Sequence, residues 1–135
     1  MAGYSGTPLV KKLGIKPGMK VCILNAPEEF WKELGALPEV ALIAKPAAGM
    51  DFILYFADSV REYEKQFPKL AATLASNGML WIGWPKKASK IVTDLSENVI
   101  RDFGLKNGLV DVKVCAITEK WSGLKFVIRV KDRKK

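Results

Sequence analysis

Three short runs of almost unbroken apolar residues constrain this chain more than anything else in it: Val21-Cys-Ile-Leu24, Phe52-Ile-Leu-Tyr-Phe56 and Met79-Leu-Trp-Ile-Gly-Trp84. A strand with one wet face alternates apolar and polar residues. A run without that alternation suits a strand buried on both faces, as in a parallel sheet covered by helices. The segments between the runs carry the helical period. Ser59-Val-Arg-Glu62 has the form of a capping box. It opens a stripe of Val60, Tyr63, Phe67, Leu70, Ala71 and Leu74, in which Pro68 predicts a kink or two shorter helices. Asp94-x-x-Glu97 is a second capping box, opening a helix to about Phe103 with Leu95, Val99, Ile100 and Phe103 inward. Two shorter helices precede these. One starts at Thr7-Pro8, an N-cap with proline at the first helical position, and stops at Gly14. The other runs from Pro27 to Leu34, with Phe30, Trp31 and Leu34 packing.

Further strands are predicted at 40–44, 109–118 and 124–131. The last two alternate, with Val110, Val112, Val114 and Ala116 on one face and Leu124, Phe126, Ile128 and Val130 on one face. The short link Glu119 to Gly123 joins them as a hairpin with Trp121 at its tip. Asn77-Gly78 and Asn107-Gly108 read as turns. The link from 45 to 50 is too short for a parallel crossover, which takes a dozen residues or more. The 40–44 strand is therefore expected to run antiparallel to 51–56 or to be a short edge piece. The whole predicts a single α/β domain over 1–135, a three-layer Rossmann-like sandwich. Its mixed sheet of about six strands has the order 40–44, 20–25, 51–56, 79–84, 124–131, 109–118, with the 124–131 strand antiparallel in a C-terminal β-hairpin. Residues 1–6 read as a flexible N-terminus and 131–135 as a basic tail.

Composition excludes several chemistries. There is no histidine, so Ser-His-Asp and Cys-His catalysis and His-based metal sites are ruled out. The two cysteines, Cys22 and Cys115, lie in apolar strand patterns and read as buried thiols rather than a disulfide or metal site. Glu28-Glu29 and Glu62–Glu64 are carboxylate pairs by adjacency only, and such neighbours do not face each other on a helix. No acid–base role is assigned to them. No apolar run reaches the roughly 20 residues that span a bilayer, and the first residues lack the order of a secretory leader. A cytoplasmic protein is expected. The formal net charge is +8, which favours anionic partners or simply solubility.

In open α/β sheets ligands bind outside the carboxyl ends of the strands. There the chain offers Pro85 followed by Lys86, Lys87, Ser89, Lys90 and Thr93. Lysine ammonium groups hold phosphate as point charges, hydroxyls add hydrogen bonds, and the helix expected from Asp94 would present its N-terminus. The competing reading is a solvated lysine loop, with Asp94 capping the helix itself. If the last strand runs antiparallel to 79–84, then Trp121, Ser122 and Lys125 approach the lysine loop, and Trp121 covers the ligand or folds back on the core. Asn25 and Lys45 are candidates for a second side of the pocket. Tyr4-Ser5-Gly6-Thr7 either folds over the same edge or frays.

From Asp51 onward, the pattern Asp-Phe-Ile-Leu-Tyr-Phe, helix, Leu-Ala-Ser-Asn-Gly-Met-Leu-Trp-Ile, helix, hairpin resembles the second half of a class I methyltransferase-type Rossmann core. The chain also resembles a family of small uncharacterised bacterial proteins, a domain of unknown function. That likeness rests on Gly3-Tyr-Ser-Gly-Thr-Pro-Leu9, Lys11-Lys-Leu-Gly-Ile15, Trp84-Pro-Lys-Lys87, Thr93-Asp-Leu95 and Trp121-Ser-Gly-Leu-Lys125. The methyltransferase likeness implies a glycine-rich turn after the first strand and an acid at the end of the second. Here those positions hold Asn25-Ala26-Pro27 and Lys45, which disfavours S-adenosylmethionine bound in the usual way. The expected function is a non-catalytic binding or regulatory domain for an anionic, phosphate-bearing or nucleotide-like ligand, with no cofactor and no metal. One alternative is a degenerate or remodelled S-adenosylmethionine-dependent methyltransferase-like enzyme. The other is a nucleic-acid-associated basic protein using the tail Lys131 to Lys135.

Overall fold

The computed structural model describes residues 7–133. Helix α1 (Leu9–Leu13) leads into β1 (Lys20–Leu24), α2 (Glu28–Leu34), β2 (Ala41–Leu42) and β3 (Met50–Phe56). Then come α3 (Val60–Ala71), β4 (Leu74–Pro85), a 3-10 turn at Lys87–Ser89, α4 (Glu97–Lys106), β5 (Leu109–Ala116) and β6 (Trp121–Ile128). The six strands form one sheet in the order β2-β1-β3-β4-β6-β5. This is the expected order, with β6 antiparallel to β4 and β5 and the other pairs parallel.

The unbroken apolar runs are buried on both faces, as two separate cores. On one face Val21, Phe52, Leu54, Phe56 and Trp81 pack against Leu9 and Leu13 of α1 and Phe30 and Leu34 of α2. On the other, Cys22, Ile53, Tyr55, Leu80 and Ile82 meet Tyr63, Phe67 and Leu70 of α3 and Ile100 of α4. Two hydrogen bonds pin helices from the sheet side and across the helix layer. The Trp81 indole N–H donates to the Leu13 carbonyl at 3.0 Å, and the Tyr63 hydroxyl donates to the Ile100 carbonyl at 2.7 Å. Burial pushes the Tyr63 phenol well above its ordinary range, so it remains a neutral donor.

Several local expectations are corrected. Strand β2 is a short edge piece of two residues and runs parallel to β1, not antiparallel to β3. So short a strand needs little chain to return from, and the seven residues 43–49 suffice without a helix. Helix α3 is continuous through Pro68 and ends three residues later at Ala71. Pro68 is exposed, so the carbonyl it leaves unpaired one turn back can be served by water. Helix α1 is capped by Pro8 rather than Thr7, with no side-chain cap. Asn77-Gly78 lies inside β4, in an irregular stretch between the pairs Met50↔Leu74 and Phe52↔Met79. A Cβ at Gly78 would stand 2.5 Å from the Met50 carbonyl oxygen, so this glycine serves a close backbone approach rather than a turn. Strand β5 slips register between Asp111 and Lys113. The resulting bulge at Val112 defeats the expected alternation, leaving Val112 and Val114 exposed. Val130, expected to face inward on the last strand, lies beyond β6 and is exposed. Among the described residues, no helix is long and apolar enough to cross a membrane.

Candidate functional site

Chain direction locates the site before any side chain does. From β1 the chain moves through α2 to β2 on one side, and from β3 through α3 to β4 on the other. The strand order therefore reverses between β1 and β3, and the crevice outside their carboxyl ends is the switch point where open α/β sheets bind ligands. A cleft of about 190 Å³ opens there, lined by Leu24 at the end of β1, Asn25 just after it, Tyr55 of β3, and Glu62 and Gln66 of α3.

Each lining residue has a local cause. Asn25 ends β1 in the left-handed backbone region, with φ of 56°. Glycine enters that region freely, and asparagine is among the few side chains that visit it routinely. The tight turn that the sequence seemed to lack is therefore made without glycine. Glu62 is placed by the N-terminal cap of α3: the Ser59 hydroxyl accepts its N–H at 3.3 Å, and the Asp94 carboxylate accepts the N–H of Val60 at 2.8 Å. Gln66, one turn on, shares its face. Tyr55 is buried by its neighbours, and its phenol is pushed up to about 12, first by burial and then by the charges of Glu62 and Asp58. The cleft thus offers a neutral phenol, two amides and one carboxylate, and no lysine or arginine. Such a lining accepts hydrogen bonds from hydroxyl or ammonium groups and does not attract an anion.

The lysine loop is built differently from the expected cradle. The Ser89 hydroxyl donates to the Lys86 carbonyl at 2.6 Å and accepts the Ile91 N–H at 3.1 Å. The Thr93 hydroxyl donates to the Asp58 carbonyl at 2.7 Å and accepts the Leu95 N–H at 3.1 Å. Both hydroxyl protons are spent inside the fold. Helix α4 starts at Glu97 with Ser96 as its cap, its hydroxyl accepting the Val99 N–H at 3.3 Å. The expected capping box at Asp94 is thereby corrected, because Asp94 instead caps α3. Helix α4 begins only at Glu97, seven residues past Lys90; Lys87 and Lys90 are exposed and Lys86 is half-buried.

The antiparallel pairing brings Trp121 opposite Pro85 and Ser122 opposite Trp84, with the Lys86 N–H donating to the Lys120 carbonyl at 2.9 Å. Trp121 is the first residue of β6, not a hairpin tip, and its ring is in the core. It meets Phe56 edge-on at 5.2 Å, and Phe56 meets Phe30 at 5.1 Å. Its indole N–H is buried without a partner among the described residues. Lys125 is not beside the lysine loop; it stands opposite Trp81 in the middle of the sheet. Lys45 is exposed, three residues past β2, and does not line the cleft. Tyr4 to Gly6 lie outside the described residues. Sequence reasoning missed Tyr55, Glu62 and Gln66. Their only signal was position: the end of a switch-point strand, and the first turns of the helix after it. Among the described residues no group of three His, Cys, Asp or Glu is placed to hold a metal ion.

No family model matches the sequence, and no curated protein does. Solved structures do resemble the fold. A protein described as a type 11 methyltransferase from Sulfolobus solfataricus superposes with a TM-score of 0.64 at 14% identity, over 94% of this chain and 93% of that one. A SAM-dependent methyltransferase from Aquifex aeolicus gives 0.60 at 16%, over 87% and 86%. Magnesium protoporphyrin IX methyltransferase from Synechocystis PCC 6803, solved with bound SAM, gives 0.59 at 13%, over 89% and 74%. The chain therefore has a class I methyltransferase-like Rossmann fold.

These neighbours correct two expectations. The solved structures that share this fold are described as methyltransferases, one of them with SAM bound, which overturns the reading as a non-catalytic binding domain for an anionic ligand and the view that S-adenosylmethionine is unlikely. The physical reason lies in the site. Asn25 takes the left-handed conformation that a glycine would take there, and the switch-point cleft carries an acid, not a cation.

Proposed function

We propose that this chain binds S-adenosylmethionine at the switch-point cleft and acts as a remodelled methyltransferase-like enzyme. The observation that carries the reading is the left-handed turn at Asn25 opening onto a cleft lined by Glu62 and Gln66. The methyl donor is cationic at its sulfonium and ammonium groups and carries hydroxyl donors. A carboxylate and two amides suit it, where a lysine cradle would repel it. When bound, the cofactor supplies an electrophilic methyl group to a nucleophilic atom of the substrate.

The residues divide the work as follows. Asn25 lets the backbone approach the ligand closely. Glu62 accepts hydrogen bonds from hydroxyl or ammonium groups, a role the position of Lys45 does not provide. Gln66 can donate and accept beside it, and Leu24 gives an apolar wall. At about 190 Å³ the cleft is smaller than the roughly 300 Å³ at which pockets enclose a whole drug-sized molecule. It would hold part of the cofactor, leaving the rest along the open carboxyl edge.

The test is calorimetric titration of the full chain with S-adenosylmethionine and with its demethylated product. Saturable binding is expected, weakened about tenfold or more in Glu62→Gln through loss of a charge-assisted hydrogen bond of about 1.5–3 kcal/mol. Absence of binding at millimolar ligand, or binding indifferent to Glu62→Gln, would overturn the reading.

A further inference from the structure

A cluster of lysines lies on the other face of the sheet, away from the cleft. Lys113 of β5 and Lys125 of β6 are directly paired across the strands. Like charges in that relation destabilise a sheet, so the pair needs a compensating reason. Both side chains lie on the face that also packs α1, shared by Cys115 and Val127 next to them in the two strands. The lysines there are held, not waving. Lys113 Nζ donates to the Lys12 carbonyl at 3.0 Å, and Lys12 Nζ donates to the Ala116 carbonyl at 3.1 Å. Lys125 is half-buried, and its ammonium is pushed below its ordinary range, first by burial and then by Lys113 and by Lys16 in the turn after α1. No carboxylate lies within ion-pair distance of Lys16, Lys113 or Lys125 among the described residues; the ion pairs found there join Arg101 to Glu97 and Asp111.

We propose that Lys16, Lys113 and Lys125, with Lys12 beside them, form a binding surface for the phosphodiester backbone of a nucleic acid. Point charges spread over a helix, a turn and two strands suit a repeating anion better than one small phosphate, which one or two lysines would hold. An anion among them removes the mutual repulsion of the lysines, so the cost of the Lys113–Lys125 pair in the free protein is recovered on binding. Lysine ammonium groups contact phosphate rather than base edges, so the contact reads backbone and not base. This surface is independent of the methyl-donor reading and stands whether or not the cleft binds a cofactor.

The test is fluorescence anisotropy of the full chain with labelled single-stranded RNA and DNA oligonucleotides of mixed sequence, across a salt series. Binding that weakens with salt is expected. In Lys113→Gln/Lys125→Gln the log–log salt slope should shrink by about 1.4, the share of two phosphate contacts on a single strand. Lys113→Arg/Lys125→Arg should retain binding. A preference between RNA and DNA, or none, identifies the source of the backbone. Should the Gln variant fail to fold, acetylation of the unmodified protein with and without oligonucleotide replaces it, and protection of Lys113 and Lys125 is expected. The proposal is overturned by absence of binding to either oligonucleotide, by an unchanged slope in the folded Gln variant, or by no protection. Loss of binding on deleting 131–135 with the Gln variant unaffected overturns it too, and assigns the contact to the tail.

Discussion

The carboxylate of Asp94 accepts the backbone N–H of Val60 at 2.8 Å, across 34 residues of chain. One loop thereby caps a helix that is not its own, and the capped turn is the one carrying Glu62 into the cleft. Asp94→Ala removes one of the two side-chain acceptors at this helix start, the Ser59 cap being the other, and is expected to cost about 1 kcal/mol, read as a lowered midpoint in urea unfolding. Glu97→Ala, at the first position of α4, should cost less. Equal losses would show that Asp94 does not act on α3.

Asn25 tests whether the turn after β1 needs backbone freedom or an amide. Asn25→Gly keeps the left-handed conformation open, while Asn25→Ala strains it by about 1–2 kcal/mol. The alanine variant should be the less stable on thermal unfolding. If S-adenosylmethionine affinity follows backbone freedom, the glycine variant retains it. If glycine and alanine lose it equally, the side-chain amide is what counts.

Helix α4 rests on the sheet through Gly104, whose missing Cβ makes room for the Phe126 ring. Alanine there gains up to about 1 kcal/mol of helix propensity and forces the ring or the helix to move, at about 1–3 kcal/mol. Gly104→Ala should therefore destabilise. Gly104→Ala combined with Phe126→Leu should recover part of the loss in chemical denaturation.

Alkaline pH gives a signed prediction. The Tyr55 phenol is raised from 10 to about 12 by burial, Glu62 and Asp58, so the folded state binds a proton that the unfolded state releases first. The stabilisation is fully present below pH 10 and is lost as pH rises towards 12. Absorbance at the phenolate band should show Tyr55 and Tyr63 titrating late and together with unfolding. Ionisation of either near pH 10 in the folded protein would contradict the burial described.

Much of the frame was legible in the residues. The apolar runs marked the doubly covered strands and the alternating final pair marked the hairpin, whereas the short 45–50 link misled over the direction of β2. What escaped notice was set by contacts between distant segments. The start of α4 could not be read, because Asp94-x-x-Glu97 is a good capping box locally and Asp94 is claimed by Val60. The bulge at Val112 follows from pairing, and no residue type announces it. The cleft was half visible. Asn25 was noticed as a missing glycine, whereas its tolerance of the left-handed region was the more useful property. Glu62 was set aside because only its neighbours in sequence were considered, when the relevant partner was Tyr55 on a strand.

The two ends of the sheet bear on how this molecule behaves among copies of itself. An open edge is a template for further strands. On one side β2 offers two residues, too few to register a visitor. On the other, β5 bends at the Val112 bulge, and Lys113 beside it puts an exposed charge on that edge. Neither margin supplies a long, flat, neutral ladder. A chain so rich in buried apolar strand thus leaves little regular edge on which a seventh strand could add.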